Sequence, residues 1–183
     1  TTHTVTVTDA NGATATASFS LTVNGTVVAT QAIASKVLTR NTAATSFTPV
    51  TGSGGTSPLA YTVSPALPTG LSMASSTGAI TGTPTATAAA TTHTVTVTDA
   101  NGATATATFS LTVNGAVVAT QVIASKVLTR NTAATSFTPV TGSGGTTPLA
   151  YSVAPALPTG LSMASSTGAI TGTPTATAAA TTH

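Results

Sequence analysis

The chain is 183 residues long, carries four Lys/Arg and two Asp/Glu, and contains no cysteine. Only 3% of its residues are charged, against roughly a quarter in soluble domains, so it offers no basic patch to nucleic acid and no disulfide framework. Apolar residues make up 40% of it, too many for a disordered segment, yet no apolar run approaches the ~20 residues of a membrane-spanning helix. We therefore expect a folded protein with no nucleic-acid partner and no membrane insertion.

Residues 1–25 and 91–115 predict the same β-hairpin. Polar and apolar residues alternate strictly along 92–99, the sequence Asp-Ala-Asn-Gly at 99–102 supplies a tight turn, and Ala103–Val113 alternates again. Alternation with a period of two places apolar side chains on one face of a strand and threonines on the other. We therefore predict a hairpin with one buried and one solvated face.

The whole sequence repeats after 90 residues, and only six of the 93 comparable pairs differ. This period is too long for a solenoid repeat but is the size of one β-sandwich domain. Near-identity of the copies indicates a tandem array rather than a series of separately tuned binding sites.

Between the two hairpins, Gly- and Pro-rich turns separate five further short strands. We predict these strands at Gln31–Leu38, Ser46–Thr51, Leu59–Val63, Leu71–Met73 and Ala79–Thr81. With the hairpin they make seven strands with a turn signal about every 8–12 residues, which is typical of an immunoglobulin-like sandwich. We therefore predict an all-β protein built of tandem seven-stranded Ig-like β-sandwich repeats.

The strand register divides the chain into three parts. Residues 1–25 are the C-terminal hairpin of a preceding repeat, 26–115 are a complete sandwich, and 116–183 are the first five strands of a following repeat with three residues of its sixth. Because an unpaired sheet edge readily pairs with another chain, the outer parts predict head-to-tail polymerisation by strand complementation. We expect neighbouring repeats and further copies of this chain as partners.

Residues 67–113 read LPTGLSMASSTGAITGTPT, a short spacer, and THTVTVTDANGATATATFSLTV. This pattern resembles the immunoglobulin-like (cadherin-like) repeat of large bacterial surface and adhesin proteins, and Leu157–Pro174 carries a second copy of its first half. The resemblance implies an extracellular or cell-surface array, with Ca²⁺ between domains in some members. Ala74 departs from the pattern, where an acidic residue is common, and so does His93, where an aromatic is usual. The hallmark residues are Leu67, Pro68, Gly70, Leu71, Thr77, Gly78, Ile80, Gly82, Thr83, Pro84 and Asp99.

Asp9 and Asp99, one in each hairpin turn, are the only acidic residues of the sequence and are candidate ligands for Ca²⁺. Ca²⁺ takes six to eight oxygens, normally from several carboxylates, so a site with one carboxylate would be weak. The alternative is that each Asp accepts backbone N–H bonds within its own turn. We predict no other cofactor.

We assemble no catalytic constellation from the sequence. His93 could be combined with Asp99 and a serine, but there is no G-x-S-x-G motif and no further acid, so we expect His93 to replace a half-buried aromatic. Lys36, Asn114 and Asp99 are candidates for an intramolecular Lys–Asn crosslink of the kind found in some surface Ig-like domains. The alternative is a solvated Lys36 in at most a weak ion pair.

These features predict a structural repeat of an extracellular stalk, fibre or sheath, and not an enzyme. The scarcity of charge favours close lateral packing, because such surfaces repel one another weakly. The alternative is a carbohydrate- or partner-binding adhesion module, weakly Ca-dependent, which would require an exposed aromatic platform.

Overall fold

The computed structural model describes residues 1–179, and the regular secondary structure in that part of the chain is β-strand throughout. Among these residues, no helix is long and apolar enough to cross a bilayer. The predicted start of a sixth strand in the last repeat falls on residues 180–183, which lie outside the described residues. The strands form three groups along the chain.

The first group is a hairpin of strands β1 (Thr2–Thr8) and β2 (Thr14–Ser20). The strands are antiparallel, and their register runs from the pair Thr2 and Ser20 to the pair Thr8 and Thr14. The alternation predicted from the sequence is present, but every residue of both strands is exposed. Within the described part of the chain, this hairpin therefore forms a two-stranded sheet whose apolar face is uncovered.

The second group spans residues 26–115 and forms a sandwich. Its four-stranded sheet has the order β4-β11-β10-β7, its three-stranded sheet the order β5-β9-β8, and β3 pairs with β6. The two longest strands, β10 and β11, form a hairpin at the centre of the four-stranded sheet. The nine strands are β3 (Val28–Gln31), β4 (Ser35–Thr39), β5 (Ala44–Phe47), β6 (Val50–Ser53), β7 (Ala60–Ser64), β8 (Leu71–Met73), β9 (Ile80–Gly82), β10 (Ala88–Thr98) and β11 (Thr104–Asn114).

The predicted all-β sandwich with a 90-residue repeat is confirmed, but two of its seven predicted strands are each divided in two. The predicted strand Gln31–Leu38 is interrupted where the N–H groups of Ala32 and Ile33 donate to the Pro49 carbonyl, at 2.8 and 3.1 Å. This break lets β3 pair with β6 while β4 pairs with β11 in another sheet. The predicted strand Ser46–Thr51 is divided at Pro49, which has no N–H to donate to a sheet.

The core of the second group comes largely from the central hairpin. Five of its apolar side chains are at most 2% exposed: Val95, Val97, Phe109, Leu111 and Val113. Burying them contributes on the order of 10 kcal/mol, taken as an upper estimate. The side chains that pack against them from the other strands are Leu38, Phe47, Val50, Tyr61 and Ile80.

The third group spans residues 116–179 and repeats only part of this sandwich. Its strands β12 and β14 form one sheet, and β13, β16 and β15 form another. The five strands are, in chain order, the copies of β3, β5, β6, β8 and β9: β12 (Val118–Gln121), β13 (Ala134–Phe137), β14 (Val140–Ser143), β15 (Leu161–Met163) and β16 (Ile170–Gly172).

The copies of β4 and β7, residues 125–129 and 150–154, are not strands in the third group. Residues 125–129 have the same sequence as β4, Ser-Lys-Val-Leu-Thr, so local propensity cannot explain the difference. In the second group β4 pairs only with β11, and β7 only with β10. The two segments therefore become strands where the central hairpin is present to pair with them. The sequence predicted strands over both segments, because it placed the first five strands of a repeat in residues 116–183, and the structure corrects that prediction at both.

Candidate functional site

Asp99 lies in the turn between β10 and β11, and its carboxylate accepts three backbone hydrogen bonds. Oδ1 accepts the N–H groups of Asn101 and Ala103 at 3.0 and 2.8 Å, and Oδ2 accepts that of Thr56 at 2.9 Å. The bond from Thr56 is the main cause that lowers the pKa of Asp99 below its ordinary value of 3.8; burial acts in the opposite direction, and the turn bonds add to the lowering. This is the geometry of a carboxylate that stabilises its own turn and ties it to a neighbouring loop.

Asp9 occupies the same position in the first hairpin. Its Oδ1 accepts the N–H groups of Asn11 and Ala13 at 2.9 and 2.7 Å, so the turn forms from local sequence. Within residues 1–179, no three His, Cys, Asp or Glu residues lie close enough together to hold a metal ion. The Ca²⁺ role of Asp9 and Asp99 therefore stays a prediction.

The first hairpin joins the second group through backbone and side-chain contacts. The Gly25 carbonyl accepts the N–H of Gly55 at 2.9 Å, and Asn24 Nδ2 donates to Thr56 Oγ1 at 3.0 Å. Thr56 is the residue whose N–H binds Asp99, so the joint and the turn share one loop. Between them lies a cavity of about 330 Å³.

The second joint repeats the first. The Gly115 carbonyl accepts the N–H of Gly145 at 2.7 Å, and Asn114 Nδ2 donates to Thr146 Oγ1 at 3.3 Å. Thr39 at the end of β4 adds a hydroxyl contact with Thr146 at 3.2 Å. The end of each hairpin is thus fixed to the same loop of the following unit, so the joint is a reproducible feature of the array.

Gly55 is required at this joint for two reasons. Its φ of +65° is unfavourable for residues with a side chain, and an added Cβ would lie 2.5 Å from Val27 Cγ2 and 2.9 Å from Asp99 Cβ. The Gly-rich loop is predicted from the sequence only as a turn, and its role as a contact between units is seen first in the structure. The signal was the recurrence of Asn-Gly at 24–25 and 114–115 at the same spacing from a Gly-Gly-Thr loop.

The structure does not bring the three predicted crosslink residues together. Lys36 Nζ lies 5.2 Å from the centre of the Phe47 ring, and Asn114 donates to Thr146 in the next unit. Asp99 precedes β11 and Asn114 ends it, and the ten-residue rise along this strand separates the ends by about 30 Å. The Lys36 ammonium is therefore part of a cation–π contact, and Asp99 serves the opposite end of the domain.

His93 is more deeply buried than the sequence predicted, with 1% of its surface exposed. Its Nδ1 lies 2.9 Å from the Pro65 carbonyl, and its ring stacks on Phe109 at 5.4 Å between centroids. Its Nε2 is buried and finds no hydrogen-bond partner among the described residues. His93 is thus a core residue rather than the half-buried one that the sequence predicted, while its copy His3 stacks on Phe19 in the exposed hairpin.

In the third group an open groove lies where the second group holds its central hairpin. The groove has a volume of about 1100 Å³ and a mostly apolar lining that also includes Lys126 and Arg130. Val127, which is 92% exposed, borders it, whereas its copy Val37 in β4 is 44% exposed. Its lining includes Lys126, Leu128, Phe137, Tyr151, Met163 and Ile170.

The first hairpin has the complementary property, because its apolar side chains are exposed although their copies form a core. Phe19 is 50% exposed and Leu21 49%, while Phe109 is 1% and Leu111 0% exposed. The residues themselves are identical. Among residues 1–179, the first hairpin therefore has an exposed apolar face, and the third group has a groove at the position that the central hairpin occupies in the second group.

The model of the family described as Putative Ig domain matches residues 26–114 and again residues 116–183. The chain belongs to this family. The predicted resemblance to Ig-like repeats is thereby confirmed, and the second and third groups are two members of the Putative Ig domain family in tandem. Domains of this class are typically extracellular adhesion or structural modules.

Similar solved structures are extracellular segments of protocadherins. The segment of protocadherin gamma B2 with cadherin domains 1–5 is 10% identical, with a TM-score of 0.40, over 95% of this chain and 44% of that one. The cis-dimer structure of protocadherin gammaB7 EC3-6 is 14% identical, with a TM-score of 0.38, over 94% and 49%. The extracellular domain of protocadherin GammaB4 is 14% identical, with a TM-score of 0.37, over 95% and 34%. The chain thus spans less than half the length of each, and no curated protein matches it.

Proposed function

We propose that this chain is a load-bearing structural repeat of an extracellular stalk, fibre or sheath. The observation that carries the proposal is the parallel pairing of β4 with β11. Ser35 lies opposite Ser110 and Thr39 opposite Asn114, so five consecutive residues of each strand are in register. β4 lies near the beginning of the domain and β11 at its end, so their pairing resists tension that is applied to the two ends of the domain.

The direction of force explains why this pairing suits a stalk. Tension enters the domain through β3, reaches β4 at its beginning and leaves the domain at the end of β11. Because the strands are parallel, these points lie at opposite ends of the pair, and the force acts along the strands. The ladder of hydrogen bonds is then sheared as a group, whereas bonds pulled from one end of a pair open one at a time.

The joints support the same function. Each joint fixes an Asn-Gly segment to a Gly-Gly-Thr loop through two hydrogen bonds, at Gly25 and Asn24 in the first and at Gly115 and Asn114 in the second. A joint repeated in this way transmits force between units in the same direction each time. Because few residues are charged, neighbouring stalks repel one another only weakly, which favours their packing side by side.

The proposal is tested by pulling the second group along two directions. The chain has no cysteine, so paired cysteines introduced as attachment points are unique. Attachment at A34C and G115C shears the β4–β11 pair, while attachment at R40C and G115C opens the same pair from one end. We expect a rupture force several-fold higher in the shearing direction. Equal, low forces in both directions would contradict a load-bearing role.

The carbohydrate-binding alternative receives less support from the aromatic residues of the second group. Phe47, Tyr61 and Phe109 are all buried in its core, at 7%, 8% and 1% exposure. Sugar recognition by stacking needs an aromatic face open to solvent. The structural role is therefore the proposed function, and we expect it to be exercised without a catalytic step.

A further inference from the structure

We propose that the outer face of the four-stranded sheet is a lateral contact surface, which packs against the same face of a second copy of this chain. The proposal rests on the proposed stalk or fibre function and deepens it by naming the surface through which neighbouring stalks touch. This surface belongs to the complete second group. It consists of the outward residues of β4 (35, 37 and 39), β7 (60, 62 and 64), β10 (92, 94, 96 and 98) and β11 (the even positions from 104 to 114), and we call it the hydroxyl face.

The hydroxyl face consists almost entirely of threonine and serine. All of its residues carry a hydroxyl group except Val37, Ala60 and Asn114. The residues that alternate with them point inward and include the fully buried Val97 and Leu111. The face is therefore the outer half of the same alternation that builds the core, and it carries no side chain larger than valine or asparagine.

No charge lies on the hydroxyl face, although the second group contains Lys36, Arg40 and Asp99. Lys36 points to the inner side of β4, with its Nζ 5.2 Å from the centre of the Phe47 ring, while Arg40 follows β4 and Asp99 follows β10. A solvated protein surface is ordinarily about 25–35% charged, whereas the centres of protein interfaces are depleted of charge. The composition of this face is therefore that of a covered surface.

The hydroxyl groups make the face complementary to itself. Each hydroxyl donates one hydrogen bond and accepts two, so it can pair with an identical face directly or through a water molecule. Such pairs occur in the structure: Thr39 Oγ1 lies 3.2 Å from Thr146 Oγ1 across the second joint, and Thr4 Oγ1 lies 3.1 Å from Ser18 Oγ within the first hairpin. Because Thr39 belongs to the hydroxyl face, this face is continuous with a contact between units that is already formed.

The size of the face sets the strength of the contact. β10 and β11 have eleven residues each, and β4 and β7 have five each. At about 3.3 Å per residue and about 4.8 Å between strands, they cover about 500 Å². Two faces together bury about 1,000 Å², the lower limit for a specific interface. One unit therefore gives a weak contact, and repetition of the sequence after 90 residues lets neighbouring stalks add many of them.

The symmetry of the contact identifies the residues at its centre. The contact is isologous, because both copies use the same face, and two sheets packed in this way lie about 10 Å apart with their strands about 30° from parallel. Thr94 and Thr108 lie opposite each other on the two central strands, β10 and β11. Charges placed at these two positions are therefore brought close to the charges of the other copy.

Paired charge substitutions in the full chain test the contact. T94K/T108K and T94E/T108E should each self-associate at least about tenfold more weakly than the wild type by analytical ultracentrifugation, because like charges are brought together. An equimolar mixture of the two variants should regain association, because lysine then faces glutamate. Added salt should weaken association in the mixture and leave that of the wild type, whose faces are uncharged, nearly unchanged.

The matched control is S72K/T81K. Ser72 and Thr81 lie opposite each other on β8 and β9, and both are exposed on the outer face of the three-stranded sheet. This variant therefore carries the same number of charges, with the same repulsion between neighbouring strands. We expect it to associate as the wild type does. Thermal unfolding of all the variants verifies that the second group remains folded.

Loss of association in T94K/T108K and T94E/T108E, its return in their mixture and wild-type association of S72K/T81K together support the proposal. Association through any other surface would leave T94K/T108K and S72K/T81K equal, and that result would overturn it. So would absence of recovery in the mixture, or a wild-type chain that stays monomeric up to about 1 mM. The pulling experiment is made on single molecules, so loss of the lateral contact leaves the rupture force unchanged and the two proposals fail separately.

Discussion

At the scale of single residues, Asp99 connects a turn to a joint between units. Its Oδ1 holds the local turn through Asn101 and Ala103, and its Oδ2 holds the Thr56 loop that also contacts Asn24. Asp9 in the first hairpin makes the turn bonds, but among residues 1–179 its Oδ2 accepts no bond equivalent to the one from Thr56. Comparing Asp9 with Asp99 therefore separates what the carboxylate contributes to the stability of the turn from what it contributes to the stability of the joint.

Replacing Asp99 with asparagine should lower the unfolding temperature of the second group by several degrees. An asparagine oxygen can still accept the two turn bonds, but its NH₂ group then faces the Thr56 N–H, so a donor meets a donor. The matched variant D9N should leave that transition unchanged. Calorimetry of the two variants at neutral pH compares them directly, and an equal effect of both would contradict the role given to Thr56.

The lowered pKa of Asp99 predicts a loss of stability in acid. Because the folded state holds this pKa below the unfolded value of 3.8, the contribution of Asp99 is fully present above pH 3.8. It is lost as the pH falls through 3.8 and then through the lower folded pKa. We expect the unfolding temperature of the wild type to fall in this window and that of D99N to fall less. Parallel curves for the two proteins would rule Asp99 out as the titrating group.

At the scale of elements, the same strand sequence has buried or exposed apolar side chains depending on which strands pack against it. F109A should destabilise the second group by about 3–5 kcal/mol, because it empties a fully buried site. F19A removes the same ring from the exposed hairpin and should change that unfolding transition by less than about 0.5 kcal/mol in dilute solution. Urea titration of both variants measures the difference. A comparable loss in both would show that the hairpin already belongs to a core within the single chain.

The elements also show how far the sequence predicts this fold. Strict alternation and the Asn-Gly turn predict both hairpins and their turns, because those signals are local, although β10 begins at Ala88, four residues before its predicted start, and β2 already ends at Ser20. They could not predict that residues 125–129 stay irregular while the identical residues 35–39 form β4, since this depends on a partner strand distant in sequence. The break at Pro49 was visible in the sequence, but its consequence, a change of sheet between β5 and β6, comes from tertiary pairing, as does the change of sheet between β3 and β4.

The candidate site was less predictable than the fold. Asp99 was singled out from its turn, and the alternative of a turn-stabilising carboxylate agrees with the bonds it makes. Its third bond, from Thr56, crosses 43 residues and leaves no local signal. The proximity of Lys36, Asn114 and Asp99 was assumed from residue type, and the length of β11 separates the last two. The 90-residue strand register, by contrast, indicated that the described part of the third group lacks a copy of the central hairpin, and that the first hairpin lacks the strands that cover its copy in the second group.

At the scale of the whole molecule, three incomplete or complete sandwiches are joined end to end. The repeated joints at Gly25 and Gly115 give each unit the same attachment to the next. Each complete unit adds about 35–45 Å, from strands of up to about ten residues and their turns. The described residues thus form a row of units linked twice by the same joint.

Small-angle X-ray scattering, extrapolated to zero concentration, tests this end-to-end arrangement most directly. A hairpin followed by two units in line should be about 100 Å long, with a radius of gyration near 30 Å. A compact protein of this length would have a radius of gyration of about 16 Å. The account predicts the larger value with the scattering profile of a rod; the smaller value would contradict the end-to-end joints and, with them, the stalk.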